Sequence, residues 1–262
     1  MSKKTIALGL SFMLLLALGL TGCGGEKKDA AKTADAKVLR VGSDTAYAPF
    51  EFQDEQSKGY VGFDMELIRA IGKQMGREVK ISSMGFDRLI PALEAGNIDA
   101  AISSMTITED RAKKVAFTKP YYTSGLSILV KKDNDTVKGV KDLEGKRLAV
   151  QIGTTGAMEA KKVKDAAVRE FNTAPEAFME LRNGGVDAVV NDLPVNEYYL
   201  TQGGKDVAKT VGAPLTSEQY GIAVAKKNAD LAAQMDKALE ELKKNGEYEK
   251  IYVKWFGKKP QA

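Results

Sequence analysis

The sequence predicts an α/β protein whose folded part forms two lobes, each a mostly parallel sheet flanked by helices. Short β-branched runs alternate with amphipathic helical segments, which is the pattern of strand-helix units around parallel strands. Three such units recur in each half of the chain, and extended glycine-bearing segments at 121–125 and 219–221 lie where two lobes would be connected. A single doubly wound domain is the alternative that the same pattern allows.

The start of the chain carries a different signal. Met-Ser-Lys-Lys precedes an apolar run from Ile6 to Leu20, and about 15 apolar residues suit an export signal better than a spanning helix, which needs roughly 20. We therefore expect residues 1–22 to be a signal peptide, with a retained single-span anchor as the alternative. Residues 23–37 have no apolar periodicity, which indicates a solvated tether.

Cys23 is the single cysteine of the chain. It follows Leu-Thr-Gly at the end of the apolar run, and this sequence resembles a lipobox, where a lipoprotein signal is cleaved and the new terminal cysteine is acylated. An inert buried thiol is the alternative, but nothing after Cys23 is apolar enough to bury it. Acylation would anchor the chain at a membrane surface, since stable anchoring takes more than one acyl chain.

The folded part begins with a strand at Val38 to Gly42 and continues with a helix over 64–75. Asp64 is a plausible N-cap of that helix, and Leu67 and Ile71 fall on one face of it. The same periodicity predicts strands at 79–82, 98–102, 126–132, 147–152, 186–191 and 220–224. It predicts helices at 87–95, 155–164, 175–182 and 193–202 and a long helical tail at 230–255.

Composition excludes several classes of function. Histidine is absent, which removes the usual metal ligand and the usual general base near neutral pH. With one cysteine besides, we expect no metal, no cofactor and no Ser-His or Cys-His hydrolase chemistry. The net charge of +4 comes from scattered lysines on helix surfaces, so no nucleic-acid partner is expected. No long exposed apolar stripe marks a partner surface, so we expect a monomer.

The candidate functional residues follow predicted strands. Ligands in open α/β sheets bind beyond the carboxyl ends of strands, so these side chains should line a cleft between the lobes. The candidates are Asp44, Tyr47, Phe86, Ser103, Ser104, Thr106, Arg111, Gln151, Thr154, Thr155 and Asp192. One guanidinium, two carboxylates, several hydroxyls and the free amides at the helix start after Thr154 together suit a zwitterion.

Each charged or aromatic candidate also has a structural interpretation that involves no ligand. Arg111 can hold a carboxylate bidentately or lie on the surface of its helix. Asp192 can accept from an ammonium group or cap the helix that starts at Leu193 and Pro194, and both can hold together. Asp44 is either a turn residue or a ligand contact. Tyr47 and Phe86 are either core aromatics or flat walls against a ligand side chain.

Several motifs occur in the order and spacing of the amino-acid-binding family of periplasmic solute-binding proteins that serve ABC importers. They run from Val38 to Gly257 and are highly specific as a set. They include Asp44-Thr45-Ala46-Tyr47-Ala48-Pro49-Phe50-Glu51-Phe52, Gly62-Phe63-Asp64, Arg111, Gly153-Thr154-Thr155, Asn191-Asp192, Tyr220-Gly221-Ile222 and Lys254-Trp255-Phe256-Gly257. The chain closely resembles this family.

The resemblance implies the periplasmic-binding-protein fold, with two lobes that close on a free L-amino acid. Lobe one would span 38–121 plus 222–262, lobe two 126–218, and the two-segment hinge would lie near 121–125 and 219–221. Arg111 would grip the α-carboxylate together with amides of Thr106 and Thr155, and Ser104 and Asp192 would receive the α-ammonium.

The side chain of the ligand would lie among Asp44, Tyr47, Phe86 and Gln151. With Arg111 and Asp192 matched to the ligand's backbone groups, Asp44 has no partner, and a cationic side chain would supply one. Glutamine-binding relatives typically carry lysine where this chain has Gln151. We therefore expect arginine, then lysine or histidine, with glutamine as the alternative.

The implied role is delivery of the amino acid to the membrane subunits of an ABC importer, from an extracytoplasmic position held by a lipid anchor. Two other classes remain as alternatives. A dehydratase-like enzyme on the same fold would need a free acid, and Asp44 is the available carboxylate. A sensory role would present the ligand to another receptor, although no further domain follows Trp255 in this sequence.

Overall fold

The computed structural model describes residues 37–260. The predicted signal peptide, Cys23 and the tether up to residue 36 lie outside the described residues and stay predictions. None of the helices within 37–260 is long and apolar enough to cross a membrane.

The first sheet has five strands: β1 Val38–Ser43, β5 Glu78–Ser83, β6 Ala100–Ala101, β7 Val115–Phe117 and β15 Ala223–Ala225. Their order across the sheet is β5-β1-β6-β15-β7. Strand β1 is parallel to β5 and β6, whereas β15 is antiparallel to both of its neighbours. Strand β1 buries Leu39 and Val41 completely.

Five helices accompany this sheet: α1 Phe63–Gln74, α2 Leu89–Ala95, α3 Glu109–Lys114, α7 Ala229–Lys244 and α8 Glu247–Phe256. Helix α1 buries the stripe that includes Leu67, Ile68 and Ile71 and packs on β5, α7 and α8. The short strands β2 Ala46–Tyr47, β3 Glu51–Gln53 and β4 Tyr60–Val61 form a small antiparallel sheet beside it.

The second sheet also has five strands: β9 Leu126–Lys131, β10 Arg147–Gln151, β11 Ala167–Phe171, β12 Ala188–Asp192 and β13 Ala208–Val211. Their order across the sheet is β11-β10-β12-β9-β13. Three helices accompany it: α4 Thr155–Ala160, α5 Ala174–Arg182 and α6 Leu193–Thr201. Strand β10 is parallel to β11 and β12, and β9 is antiparallel to its two neighbours.

Two antiparallel segments join the sheets, β8 Tyr122–Ser124 and β14 Glu218–Tyr220. The chain passes from the first sheet to the second through β8 and returns through β14. The aromatic ring of Phe50 packs against both segments, at centroid distances of 4.9 Å to Tyr122 and 5.4 Å to Tyr220. The predicted two-lobed α/β fold with a two-segment hinge is confirmed, and for the two lobes we propose the boundaries 38–121 plus 222–262 and 126–218.

The structure corrects three local predictions. Gly62, not Asp64, occupies the N-cap position of α1, and the Asp64 carboxylate instead accepts from Ser104 N and Tyr121 Oη. The predicted helix at 87–95 begins as a 3-10 turn and becomes α-helical at Leu89. The long helical tail is two helices, because the chain breaks at Gly246 with a φ of 82°.

Candidate ligand-binding site

The side chains that follow the central strands of both sheets meet around one small cavity. Its wall contains all eleven candidates: Asp44, Tyr47, Phe86, Ser103, Ser104, Thr106, Arg111, Gln151, Thr154, Thr155 and Asp192. It also contains Glu51, which the sequence analysis did not single out. The parallel arrangement explains the meeting point, since the carboxyl ends of parallel strands share one sheet edge.

Arg111 is not on the helix surface. It is 6% exposed, and its Nη1 donates to Thr106 O at 2.7 Å while Nη2 donates to Gly153 O at 3.0 Å. Its guanidinium carbon lies 5.1 Å from the centroid of Phe86, which forms a cation–π contact. Burial lowers the pKa of Arg111 from its usual value, and the charges of Glu218 and Asp192 oppose that change. A guanidinium has more N–H donors than these two carbonyls use, so it can also hold a carboxylate.

Asp192 stands at the N-cap position of α6, but its side chain does not cap the helix. It is 5% exposed, and its Oδ2 accepts from Tyr220 Oη at 2.5 Å. Burial, with help from the charge of Glu218, raises the pKa of Asp192 to about 7. The carboxyl group therefore points into the cavity from the second lobe and would gain from a cationic partner.

Asp44 lines the cavity from the first lobe. It is 6% exposed and accepts from Gln151 Nε2 across the two lobes, while Gln151 also donates to Asn172 O at 3.0 Å. Burial raises the pKa of Asp44 to about 6, and the hydrogen bond from Gln151 opposes the rise. A neutral amide is thus the side chain that faces this carboxyl group.

Glu51, in the cavity wall, and Asp64 behind it form a buried acid pair, and both are fully inaccessible. Burial raises the pKa of Glu51 well above its usual value, and the charge of Asp64 adds to the effect. Glu51 accepts from the hydroxyls of Ser103 at 3.0 Å and Ser104 at 3.3 Å. Ser104 has a left-handed φ of 48°, and its amide donates to Asp64 at 2.9 Å. The acid pair therefore fixes the two serines in the wall.

Several contacts hold the two lobes together around the cavity. Tyr47 Oη donates to Asn191 Oδ1 at 2.8 Å, and the bonds from Gln151 to Asp44 and from Arg111 to Gly153 also cross between the lobes. Each of these pairs joins a residue before the hinge to one beyond it. The structure is therefore a closed arrangement of the lobes.

The chemistry of the wall suits a small zwitterion with additional positive charge. The wall contains three carboxyl groups, Asp44, Glu51 and Asp192, and one guanidinium, Arg111. Burial favours the neutral form of Glu51, so Asp44 and Asp192 are the carboxyl groups that a cationic partner would ionise. The wall adds hydroxyls of serine and threonine and two aromatic rings. Within residues 37–260, no group of acidic, cysteine or histidine side chains has the geometry to hold a metal ion.

Known proteins with related sequences are named for the amino acids that they bind. A probable histidine-binding protein of Neisseria gonorrhoeae is 37% identical over 98% of this chain and 96% of its own length. The glutamine-binding protein GlnH of an ABC transporter of Bacillus subtilis is 36% identical over 98% of this chain and 99% of its own.

A solved structure agrees with the fold described above. An ancestral arginine-binding protein bound to arginine superposes with a TM-score of 0.82 at 47% identity, covering 84% of this chain and 99% of that one. Residues 39–258, which include both sheets, both hinge segments and every residue of the cavity wall, match the profile of the bacterial extracellular solute-binding proteins, family 3. The two-lobed α/β fold agrees with that of the similar solved structure, and this chain belongs to the family of bacterial extracellular solute-binding proteins, family 3.

Proposed function

We propose that this chain captures a basic amino acid, arginine before lysine or histidine, and delivers it to the membrane subunits of an ABC importer. The observation that supports this proposal most directly is the acidic wall of the cavity. Asp44 and Asp192 are both buried in the wall with one guanidinium, Arg111, whereas burial favours the neutral form of Glu51. With Arg111 and Asp192 matched to the backbone groups of the ligand, Asp44 remains for a cationic side chain to balance.

Each backbone group of an amino acid has a partner in the cavity wall. Arg111 would bind the α-carboxylate, with amides of Thr106 and Thr155 beside it, because a bidentate guanidinium matches a planar carboxylate. Asp192 and Ser104 would accept from the α-ammonium. The high pKa of Asp192, about 7 without a ligand, indicates a carboxyl group that an ammonium would convert to its ionised form.

The side chain of the ligand would extend toward Asp44, between Tyr47 and Phe86 and beside Gln151. A buried carboxylate without a cationic partner costs several kcal/mol unless it takes up a proton. An arginine side chain would supply both a positive charge and donors for Asp44. The arginine bound in the similar ancestral structure is consistent with this assignment.

Glutamine is the second candidate ligand. One relative, similar along almost its whole length, is named for glutamine, and a neutral amide could donate to Asp44 as Gln151 does. The charge of the cavity favours a basic ligand over glutamine, because glutamine would leave Asp44 without a counter-charge.

We infer that the chain binds its ligand without turning it over. Asp44 is the free acid that a dehydratase-like reaction would need, yet it hydrogen-bonds to Gln151 and would be used by the ligand's side chain. The relatives described above are named as binding proteins. We also propose that the protein acts as a monomer, anchored at the membrane surface through acylated Cys23, and that it serves a transporter rather than a receptor.

Calorimetric titration of the ligand-free protein, refolded to remove carried ligand, tests this function. Arginine, lysine, histidine and glutamine are compared in parallel. We expect submicromolar binding of arginine and weak binding of glutamine. The reverse order would refute the charge argument, and no heat with any amino acid would refute the proposed function.

A further inference from the structure

The side chain of Gln151 has one polar atom without a partner. Its Nε2 donates to Asp44 and, at 3.0 Å, to Asn172 O, and these two bonds use both hydrogens of the amide. Its Oε1 accepts no hydrogen bond among the contacts of residues 37–260, although Gln151 is 2% exposed and lines the cavity. Oε1 is therefore the atom with which Gln151 can accept from the side chain of a ligand.

The carbonyl group of Asn172 fixes which way the amide of Gln151 faces. A backbone carbonyl can only accept, so it selects Nε2 and excludes Oε1 from its side. Asp44 cannot fix the orientation alone, because burial raises its pKa to about 6 and a protonated carboxyl group could donate to Oε1. Asn172 directly follows β11, which pairs with the strand of Gln151. Both residues belong to the second sheet, so their contact does not depend on how the two lobes are arranged.

A side chain outside the cavity holds the carbonyl of Asn172 in place. This carbonyl shares one planar peptide group with the amide of Thr173. That amide donates to Glu176 Oε2 at 3.0 Å, as one half of a capping box at the start of α5. Glu176 is exposed and is not among the residues that line the cavity. Because the peptide group is planar, its carbonyl turns with its N–H, and Glu176 thereby sets the direction of the carbonyl that holds Gln151.

We propose that Glu176 is a positioning residue for ligand selection: through the 172–173 peptide group it keeps the oxygen of the Gln151 amide, and not the nitrogen, toward the side chain of the ligand. A guanidinium or an ammonium group has only donors, so this orientation suits a basic side chain and the reverse orientation repels it. A glutamine side chain has a donor and an acceptor and can match either orientation. This inference rests on the proposed function and extends it to the choice between basic ligands and glutamine.

The first test measures selectivity, the ratio of the Kd for glutamine to the Kd for arginine, by calorimetry. We expect Glu176→Ala to lower this ratio about tenfold, which is the effect of losing roughly one hydrogen bond to a charged group. Glu176→Gln should restore the ratio, because a glutamine at this position of a capping box also accepts from the backbone.

Thr173→Val is the matched control. It removes the other half of the same capping box, in which Glu176 N donates to Thr173 Oγ1 at 3.4 Å, and it leaves the bond from the Thr173 amide to Glu176 in place. The selectivity of Thr173→Val should equal that of the unmodified protein. Equal losses of selectivity in Thr173→Val and Glu176→Ala would overturn the inference.

A double-mutant cycle shows whether Glu176 acts through Gln151. Gln151→Met keeps the length of the side chain and removes its polar atoms. In that background Glu176→Ala should have no further effect on the selectivity. A further tenfold loss would overturn the proposal.

A measurement without ligand separates this inference from the proposed function. NMR follows hydrogen exchange of the Gln151 side-chain amide, whose signals are those that disappear in Gln151→Met or, if that variant does not fold, in Gln151→Glu. We expect exchange about tenfold faster in Glu176→Ala than in the unmodified protein, Glu176→Gln and Thr173→Val. Equal rates in all four would overturn the inference even if arginine binds tightly. If neither amino acid binds, the proposed function fails, and the exchange rates decide the positioning role by themselves.

Discussion

The substitution Asp44→Asn tests the acidic cavity most directly. It removes one negative charge at a side chain that is 6% exposed and keeps an oxygen that can accept from Gln151. The rise of the pKa of Asp44 from 3.8 to about 6 corresponds to about 3 kcal/mol that disfavours the ionised form in the ligand-free site.

A cationic ligand side chain would recover an energy of that order, and a neutral one would not. Arginine is therefore expected to lose about 3 kcal/mol of binding free energy, roughly a 100-fold rise in Kd. Glutamine should change by less than about tenfold, since a neutral hydrogen bond is worth about 1 kcal/mol.

Calorimetry with both amino acids at one pH and one ionic strength measures the two losses. Asp87→Asn is the matched control, because Asp87 lies close enough to influence Asp44 but is exposed and does not line the cavity. It should change the binding of either ligand by less than about twofold, because exposed charges are screened. Equal losses for arginine and glutamine in Asp44→Asn would refute the charge argument.

Four further predictions follow from the same geometry. Burial raises the pKa of Asp64 from 3.8 to about 6, so its contribution to stability is present below pH 3.8 and is lost as the pH rises through 6. The ligand-free protein should melt at a higher temperature near pH 5 than at pH 7.5, and Asp64→Asn should reduce this dependence without abolishing it, because Asp44, Glu51 and Asp192 also have raised pKa values. Arg111→Lys should weaken arginine and glutamine alike by at least about 100-fold in calorimetry, because lysine cannot bind a carboxylate bidentately. Gly62→Ala should unfold the protein more readily than Gly76→Ala in denaturant titrations: both have positive φ, but only at Gly62 would a Cβ lie 2.1 Å from Phe50 O. Phe50→Ala should cost about 3–5 kcal/mol of unfolding free energy in the same titrations, since this fully buried ring packs against both hinge segments.

The first three of these predictions have outcomes that would contradict them. A melting temperature that rises steadily from pH 5 to pH 7.5 would contradict the interpretation of Asp64. Selective loss of arginine alone in Arg111→Lys would place Arg111 near the ligand's side chain instead of its carboxylate. Equal stability of the two glycine variants would mean that the close approach at Gly62 is relieved at no cost.

The positions of the cavity residues were largely predictable because they depend on strand periodicity. Asp44, Gln151 and Asp192 each follow or end a buried apolar strand, and the topology then brings them together. Their orientation was not predictable in the same way. The Asp-Leu-Pro sequence at 192–194 permits an N-cap, but the Asp192 carboxyl group accepts from the hydroxyl of Tyr220, distant in sequence, and lines the cavity instead.

Residues whose positions depend on pairing between segments distant in sequence could not be identified from the local sequence pattern. Glu51 lies in a strand of three residues, and its burial depends on pairing with Tyr47 and on the serines at 103–104. Glu218 lies in a hinge segment too short to show periodicity. The edge strand β11 is interrupted by charged Arg169 and Glu170, so the alternation that marks a half-buried strand is missing.

The two sheets differ in one respect that affects how the chain can assemble. All strands of the second sheet come from one continuous stretch, from Leu126 to Val211. The first sheet needs β15, whose residues 223–225 lie between β6 and β7 in space but about a hundred residues after them in the chain. During synthesis, β7 therefore has no neighbour to pair with until the second lobe has been made. The second lobe can complete its core first, and the first half of the chain must wait for the last quarter before its own sheet is whole.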